Sequence, residues 1–204
     1  MHTVVVGGHS RNIGKTALVV DLIRALPELN WTAVKITQYG HGVCSVNGEN
    51  CGCAPREHAF SVDEEQLRGT GTDTSRFLDA GARRAFWVRT KQGLLAEALP
   101  ELRRVMTASD NVIVESNTLL RFLHPNVYVV VLDPRVADFK ESLREVVDRA
   151  DAFVLRHTET EAGTAWPGIA PRLVEGRPRF VQPLGAPLPE ALPAWLRARL
   201  ARNS

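Results

Sequence analysis

The residues with the most specific chemistry lie in the first sixteen positions, which read MHTVVVGGHSRNIGKT. A β-branched run ends at Gly7 and Gly8, and Gly14, Lys15 and Thr16 open a stretch with helical leucine spacing. Glycines let a backbone curl around phosphate, while loop amides and a helix start supply positive partial charge. We expect Lys15 to reach the β- and γ-phosphates of a nucleoside triphosphate and the Thr16 hydroxyl to ligate Mg²⁺. The segment therefore predicts a phosphate-binding P-loop.

The spacing inside this loop is longer than the standard one, because five residues separate Gly8 from Gly14. In this it resembles the loop of dethiobiotin synthetase and the cobyrinic acid amidases, from the branch that includes the MinD- and ParA-type ATPases. Those ATPases carry a second lysine early in the loop, where this sequence offers Arg11 as a partial substitute. The sequence leaves open whether the protein forms a homodimer, and the resemblance does not imply the lysine-dependent dimer mechanism. The predicted nucleotide-binding residues of the loop are Gly8, Arg11, Asn12, Ile13, Gly14, Lys15, Thr16 and Ala17.

Two carboxylates are candidates for the magnesium side of the site. Glu115 ends the apolar run NVIVE, where an acidic residue typically holds the Mg²⁺ shell or positions the attacking water. The alternative is a surface carboxylate at the end of a strand. Asp73 begins a predicted helix, so it is either the N-cap of that helix or a magnesium partner.

Three short motifs resemble the molybdopterin-guanine dinucleotide biosynthesis protein B family. DTSRFLDAGA, from Asp73 to Ala82, is similar to its D-S-Y-x-x-x-x-A-G-A stretch, VKIT at 34–37 to its I-K-H-T, and VIVES at 112–116 to its L-V-E-G. They occur in the family's order within residues 3–135. The resemblance implies that Lys35 faces the triphosphate or a second substrate, and that Asp73 and Glu115 serve Mg²⁺. With Lys15, these are the predicted catalytic residues.

The residues that would recognise the base are less well defined. Guanine-specific P-loop proteins use N-K-x-D after a late strand, and this sequence has Arg156-His157-Thr158-Glu159 there. Glu159 remains a candidate acceptor for guanine. Backbone groups around Pro183, after the last predicted strand, are the alternative, as in the dethiobiotin synthetase branch. The sequence leaves both ATP and GTP open as the bound nucleotide and slightly favours ATP.

A polar segment contains all three cysteines of the chain, Cys44, Cys51 and Cys53, bracketed by His41 and His58. Three thiolates and one imidazole would form a tetrahedral zinc site, and soft ligands also suit an iron–sulfur cluster. Free thiols are the alternative. The clustered, odd number of cysteines argues against a disulfide framework.

Alternating strand and helix patterns predict an α/β fold, namely a doubly wound, mainly parallel sheet with helices on both faces. We expect one P-loop NTPase domain over residues 1–204, with a Cys-rich insertion loop at about 38–70. Ligands of such sheets bind at the carboxyl ends of the strands. The predicted strands are 3–6, 31–36, 84–88, 111–114, 127–132, 152–155 and 180–181, and helical patterns follow the P-loop and cover 73–80, 94–105, 134–150 and the C-terminal residues.

Composition restricts the partners. The net charge of +2 gives no global electrostatic case for nucleic acid or anionic membrane. No apolar run approaches the roughly 20 residues that a membrane helix needs, and the first residues lack the features of a signal peptide. We therefore expect a cytoplasmic protein whose partners are a nucleotide and a client protein or small molecule.

Three functions follow from these features. The leading one is a Mg²⁺-dependent nucleotide-hydrolysing adaptor in cofactor or metal-centre biosynthesis, as the family resemblance implies. The second is a ligase or kinase that passes the γ-phosphate to a small carboxylic acid bound by Lys35. The third is a nucleotide-binding regulator in which the cysteine segment senses metal or redox state.

Overall fold

An eight-stranded sheet organises the protein in a computed structural model that describes residues 1–39, 59–157 and 166–202. Its strand order is β3-β4-β2-β5-β1-β6-β7-β8, and all described pairs are parallel except β3 with β4. The strands are β1 (His2–Gly8), β2 (Trp31–Tyr39), β3 (Phe60–Glu64), β4 (Arg84–Lys91), β5 (Asn111–Glu115), β6 (Val127–Leu132), β7 (Ala152–Leu155) and β8 (Arg179–Val181). The helices are α1 (Lys15–Ala25), α2 (Asp73–Asp79), α3 (Leu95–Thr107), α4 (Glu141–Arg144), α5 (Pro171–Glu175) and α6 (Ala191–Ala201).

Helices cover both faces of this sheet, which confirms the predicted fold class. The central strands are apolar runs because each is buried on both sides, as β6 shows along its whole length. Leu18 of α1, Phe77 of α2 and Leu196 of α6 pack in the core on one face. Leu102 of α3 and Leu143 of α4 pack in the core on the other.

Parallel pairing brings the carboxyl ends of the central strands to one edge. Gly8 of β1, Glu115 of β5 and Leu132 of β6 end there, because β1 lies between β5 and β6 in parallel register. Lys35 of β2 is level with Glu115 in the parallel pair of β2 with β5. This edge is where ligands bind in open parallel sheets.

The prediction of an irregular insertion over 38–70 is wrong for part of that range. β2 continues to Tyr39, and Phe60–Glu64 form the edge strand β3, antiparallel to β4. Phe60 and Val62 pack on the core while Ser61 and Asp63 alternate with them, which is the period of two typical of a half-buried strand. Residues 40–58 lie outside the described part of the chain.

The predicted helical stretch over 134–150 is also shorter in the structure. It contains the single turn of α4 and a 3-10 turn at Val147–Arg149. The residues before α4 make contacts with the loop after β1, described below. Across the described residues, every helix is too short or too polar to span a bilayer.

Candidate active site

The loop after β1 is fixed by an amide side chain from the neighbouring strand end. Asn117, two residues beyond β5, accepts a hydrogen bond from the Gly8 amide at 2.9 Å and donates to the Gly8 carbonyl at 3.0 Å. A Cβ atom at Gly7 would lie 2.5 Å from both the Asn117 Oδ1 and the Tyr128 hydroxyl. The close approach of these side chains explains the glycine at position 7.

The loop ends at Gly14, which is the N-cap of α1 and has a φ of +85°. Such a left-handed conformation favours glycine. No side chain in the described part of the chain caps the helix. Its first intrahelical hydrogen bond runs from the Leu18 amide to the Gly14 carbonyl at 3.0 Å. The amides of Lys15, Thr16 and Ala17 are therefore without intrahelical acceptors and form an anion-binding helix start.

Arg156, immediately after β7, binds the backbone carbonyl groups at this end of the loop. Its buried guanidinium donates to the carbonyl oxygens of Ile13 at 3.0 Å and Gly14 at 2.6 Å. It also donates to the backbone and side-chain oxygens of Gln182 at 3.1 and 2.9 Å. Sequence reasoning placed Arg156 in the base-recognition segment, whereas its side chain is committed to the P-loop.

The remaining base-recognition candidates stay predictions. Glu159 lies outside the described residues. Pro183 follows β8 at the same edge of the sheet, and its carbonyl accepts a hydrogen bond from the Ala186 amide at 3.0 Å. The Gln182 amide donates to the Leu155 carbonyl at 2.9 Å, so this part of the chain is tied to β7 by its backbone.

Lys15 bends back over the loop. Its ammonium donates to the Ser10 carbonyl at 2.9 Å. Burial lowers the pKa of Lys15, and the nearby Lys35 lowers it further, while Glu115 and Asp73 act in the opposite direction. The hydrogen bond of this ammonium would become stronger if an anionic oxygen replaced the neutral Ser10 carbonyl as its acceptor.

A chain of polar contacts joins the four other predicted residues of the site. Thr16 donates from its hydroxyl to Glu115 Oε2 at 2.7 Å. Lys35 lies 3.5 Å from Glu115 Oε1 and makes a short hydrogen-bonded ion pair with Asp73. Burial alone would lower the pKa of Lys35, but the charges of Glu115 and Asp73 outweigh it and raise that pKa.

The structure excludes one alternative reading for each of the two carboxylates, while their magnesium roles stay predictions. Thr72, not Asp73, is the N-cap of α2, because its side chain accepts a hydrogen bond from the Ser75 amide at 3.1 Å. Asp73 instead faces Lys35 and also lies 3.4 Å from Arg76. Glu115 is 6% exposed, so it is not a surface carboxylate.

The other predicted loop residues differ in exposure. Arg11 and Asn12 are exposed, and Asn12 adopts a left-handed conformation with a φ of 55°. Ile13 is buried under the loop. Ala17 lies in the first turn of α1 and is half-buried.

His9 is a central residue of the site that sequence reasoning missed. Its Nε2 accepts a hydrogen bond from the Asp133 amide at 3.0 Å, so the proton must lie on Nδ1, which donates to the Asp138 carbonyl at 2.7 Å. The ring packs against Phe139 and Trp166, with centroids at 5.5 and 5.1 Å. Burial lowers the pKa of His9 and favours this neutral form.

The same contacts fasten residues 133–140, which we name the 133–140 segment, to the P-loop. Besides the two bonds of His9, Ser10 donates to Asp138 Oδ2 at 2.6 Å, and the Lys140 amide donates to the His9 carbonyl at 2.8 Å. The sequence feature that could have indicated these contacts is the presence of a histidine and a serine inside a glycine-rich loop. Their partners lie more than 120 residues away in sequence.

The predicted soft-metal ligands His41, Cys44, Cys51, Cys53 and His58 lie outside the described residues. Within 1–39, 59–157 and 166–202, no group of three or more histidine, cysteine, aspartate or glutamate side chains is arranged to hold a metal ion. The zinc or iron–sulfur site therefore stays a prediction from sequence.

Comparison with known proteins places the fold. HypB from Helicobacter pylori, solved in complex with nickel, is similar over 98% of this chain and 87% of its own, with 14% identity and a TM-score of 0.50. The chain has a P-loop NTPase fold. LpxK from Aquifex aeolicus, solved in its "apo" form in complex with ATP, aligns with 89% of this chain at 20% identity and a TM-score of 0.48. This chain spans only 53% of LpxK. None of the protein-family profiles matches the sequence, and no curated protein does.

Proposed function

We propose that this protein binds and hydrolyses a nucleoside triphosphate in a Mg²⁺-dependent reaction, with low turnover. The observation that supports it most is the 2.7 Å hydrogen bond between the Thr16 hydroxyl and Glu115. It puts the predicted magnesium ligand of the helix start against the carboxylate of β5. The free amides of α1 and the Lys15 ammonium lie beside them and suit the phosphates.

The donor set fits magnesium. Thr16, Glu115 and Asp73 present hydroxyl and carboxylate oxygens, the ligands that Mg²⁺ prefers, and Mg²⁺ typically takes few protein ligands beside phosphate oxygens and water. Bound there, Mg²⁺ would neutralise charge on the phosphates. The chain's own residues then orient the γ-phosphate: loop amides and Lys15 compensate its charge as water attacks phosphorus and the bond to the β–γ bridging oxygen breaks.

Lys35 acts in this proposal as a positioning residue. Its ammonium bridges Glu115 and Asp73, two carboxylates that would otherwise repel each other. That arrangement supports hydrolysis over transfer to a small carboxylic acid, because both sides of Lys35 already face carboxylates of the protein. A ligase or kinase reaction would need Lys35 to release at least one of them.

The biological role that we propose is that of an adaptor in the assembly of a cofactor or metal centre. The motifs around Lys35, Asp73 and Glu115 support it by their resemblance to the molybdopterin-guanine dinucleotide biosynthesis protein B family. The cysteine segment supports it by its chemistry, since Cys44, Cys51 and Cys53 are soft-metal ligands. We further propose that residues 1–204 form one P-loop domain, with ATP as the favoured nucleotide over GTP.

The proposal is tested by titrating the purified chain with ATP and GTP, with and without Mg²⁺, and following phosphate release. We expect micromolar or tighter binding of one nucleotide and slow, Mg²⁺-dependent release of phosphate. A small carboxylic acid that must be added before phosphate is consumed would favour the transferase alternative. Absence of nucleotide binding under all conditions would refute the proposal.

A further inference from the structure

Lys140 is a half-buried lysine whose ammonium has no hydrogen bond or ion pair with any described residue. It is the last residue of the 133–140 segment and directly precedes α4. Burying an ammonium without a partner is unfavourable. The groups around Lys140 indicate which kind of ligand would pair with this ammonium.

The backbone of Lys140 is anchored to the P-loop. Its amide donates to the His9 carbonyl at 2.8 Å, and the neighbouring Asp138 accepts a 2.6 Å hydrogen bond from the Ser10 hydroxyl. Asp138 is thereby engaged with the loop and makes no ion pair with Lys140 among the described residues. The segment thus presents Lys140 at the edge of the sheet where the phosphates would bind.

The electrostatic surroundings of Lys140 are mainly those of the phosphate site. Lys15 and Arg11 repel its charge, while Asp138 and Glu115 attract it. Burial first and then the two cations lower the pKa of Lys140 to about 8. Three cations that converge on one loop destabilise one another until a multivalent anion joins them.

We propose that Lys140 binds the γ-phosphate of the nucleotide, as a second lysine supplied by the 133–140 segment opposite Lys15. This inference rests on the proposed function. It adds a phosphate-binding residue that no motif in the P-loop contains. It also gives His9 a task, since His9 joins the segment that carries Lys140 to the loop that carries Lys15.

The test compares Lys140→Met, which removes the charge but keeps a linear side chain, with Lys140→Arg and with Lys91→Met as the matched control. Lys91 is an exposed lysine at the end of β4. Each protein is titrated with ATP, its β,γ-imido analogue and ADP in the presence of Mg²⁺ (GTP, its analogue and GDP if wild type prefers them). We expect Lys140→Met to weaken triphosphate binding about tenfold to a hundredfold, the usual range for a charged hydrogen bond, and diphosphate binding by less than about threefold. Lys140→Arg should retain most of the preference for triphosphate.

Thermal unfolding without nucleotide supplies a second readout. Because the folded protein disfavours a charge at position 140, Lys140→Met should raise the melting temperature at neutral pH. A lysine with a purely structural role would do the opposite on substitution, so a lower melting temperature would overturn the inference. Unchanged triphosphate affinity, or equal losses for triphosphate and diphosphate, would overturn it as well. Wild-type protein that binds no nucleotide would refute the proposed function itself, whereas the other outcomes leave that function standing.

Discussion

The Arg156 guanidinium donates a 2.6 Å hydrogen bond to the carbonyl oxygen of Gly14, the N-cap of α1. The two residues are 142 positions apart in sequence. A Cβ atom at Gly14 would lie 2.7 Å from the same guanidinium nitrogen. The conformation of the phosphate loop therefore depends on the buried cation that follows β7 as well as on the glycines of the loop. This contact constrains the residue types at both position 14 and position 156.

Arg156→Lys should destabilise the protein and weaken nucleotide binding together. Lysine keeps the charge, but one ammonium cannot replace a planar fork that serves Ile13, Gly14 and Gln182 at once. Leaving buried carbonyls without donors costs about 1–3 kcal/mol each, so we expect a loss of about 2–4 kcal/mol in the free energy of unfolding. Urea unfolding measures it, with Arg104→Lys on the exposed face of α3 as the control. Equal stability of the two variants would show that Arg156 does not support the loop.

Lys15→Ala should abolish triphosphate binding and leave the fold intact. Among the described residues the ammonium donates only to the Ser10 carbonyl, and its burial costs free energy in the absence of phosphate. We therefore expect little change, or a small gain, in melting temperature without nucleotide. Calorimetric titration with ATP and GTP gives the affinity, with Lys91→Ala as the exposed control. Wild-type affinity in Lys15→Ala would contradict the assignment of the phosphate site.

Substitution of either carboxylate on the magnesium side of the site should reduce turnover more than it reduces nucleotide affinity. Glu115→Gln and Asp73→Asn each remove one charge but keep the shape, so the nucleotide still meets the loop amides and Lys15. We expect Mg²⁺-dependent phosphate release to fall by about tenfold or more, with a smaller change in nucleotide affinity. The rate is measured over a Mg²⁺ titration, and Asp63→Asn on the edge strand β3 serves as control. An unchanged rate at saturating Mg²⁺ would remove that residue from the site.

The parts of the site that sequence reasoning found are those encoded by local patterns. The glycine and GKT spacing gives the loop and helix start, and the apolar run before Glu115 places that residue at a strand end. Lys35 was predicted from the resemblance of VKIT to the family motif, and it lies level with Glu115 on the neighbouring parallel strand. These residues converge because strands β1, β2 and β5 are adjacent and parallel.

The parts that it missed depend on contacts between distant segments. Nothing local distinguishes Arg156 or Lys140 from a surface cation, since each acquires its role from the P-loop packed against it. Edge strand β3 was missed because its five residues follow a long polar stretch and bury only Phe60 and Val62 on the core. Whether such a short segment forms a strand depends more on its tertiary contacts than on its own hydrophobic pattern.

The cysteine segment should bind zinc or iron. The three thiols within residues 41–58, with His41 or His58 as the fourth ligand, would supply the donors, and bound metal would offset the conformational entropy of ordering this polar stretch. Chelator-free purification followed by elemental analysis and an absorption spectrum should give stoichiometric metal in wild type and much less in Cys51→Ser. His124→Gln, at an exposed histidine, is the control. Metal-free wild type with freely reactive thiols would mean that these cysteines are not ligands.

His9 makes the stability of the P-loop dependent on pH. Burial lowers its pKa below the ordinary value of 6.5, so the unfolded chain binds a proton in this range more readily than the folded chain does. Stability attributable to His9 is therefore complete above about pH 6.5 and is lost as pH falls from there towards the lower pKa of the folded state, by at most about 1.4 kcal/mol per pH unit. The physical cause is burial, which disfavours the charged ring. Protonation would in addition remove the acceptor at Nε2 for the Asp133 amide.

Two measurements check this dependence. Nitrogen-15 NMR at pH 7.5 should show a neutral His9 with its proton on Nδ1. Urea unfolding should show that His9→Gln loses stability at pH 7.5, and that its difference from wild type shrinks as the pH is lowered to 5.5. His124→Gln, at an exposed histidine bonded to Arg149, is the control for substitution of a histidine outside the site. A difference for His9→Gln that grows on acidification would mean that the buried ring is protonated, and the hydrogen bond from Asp133 would then be assigned wrongly.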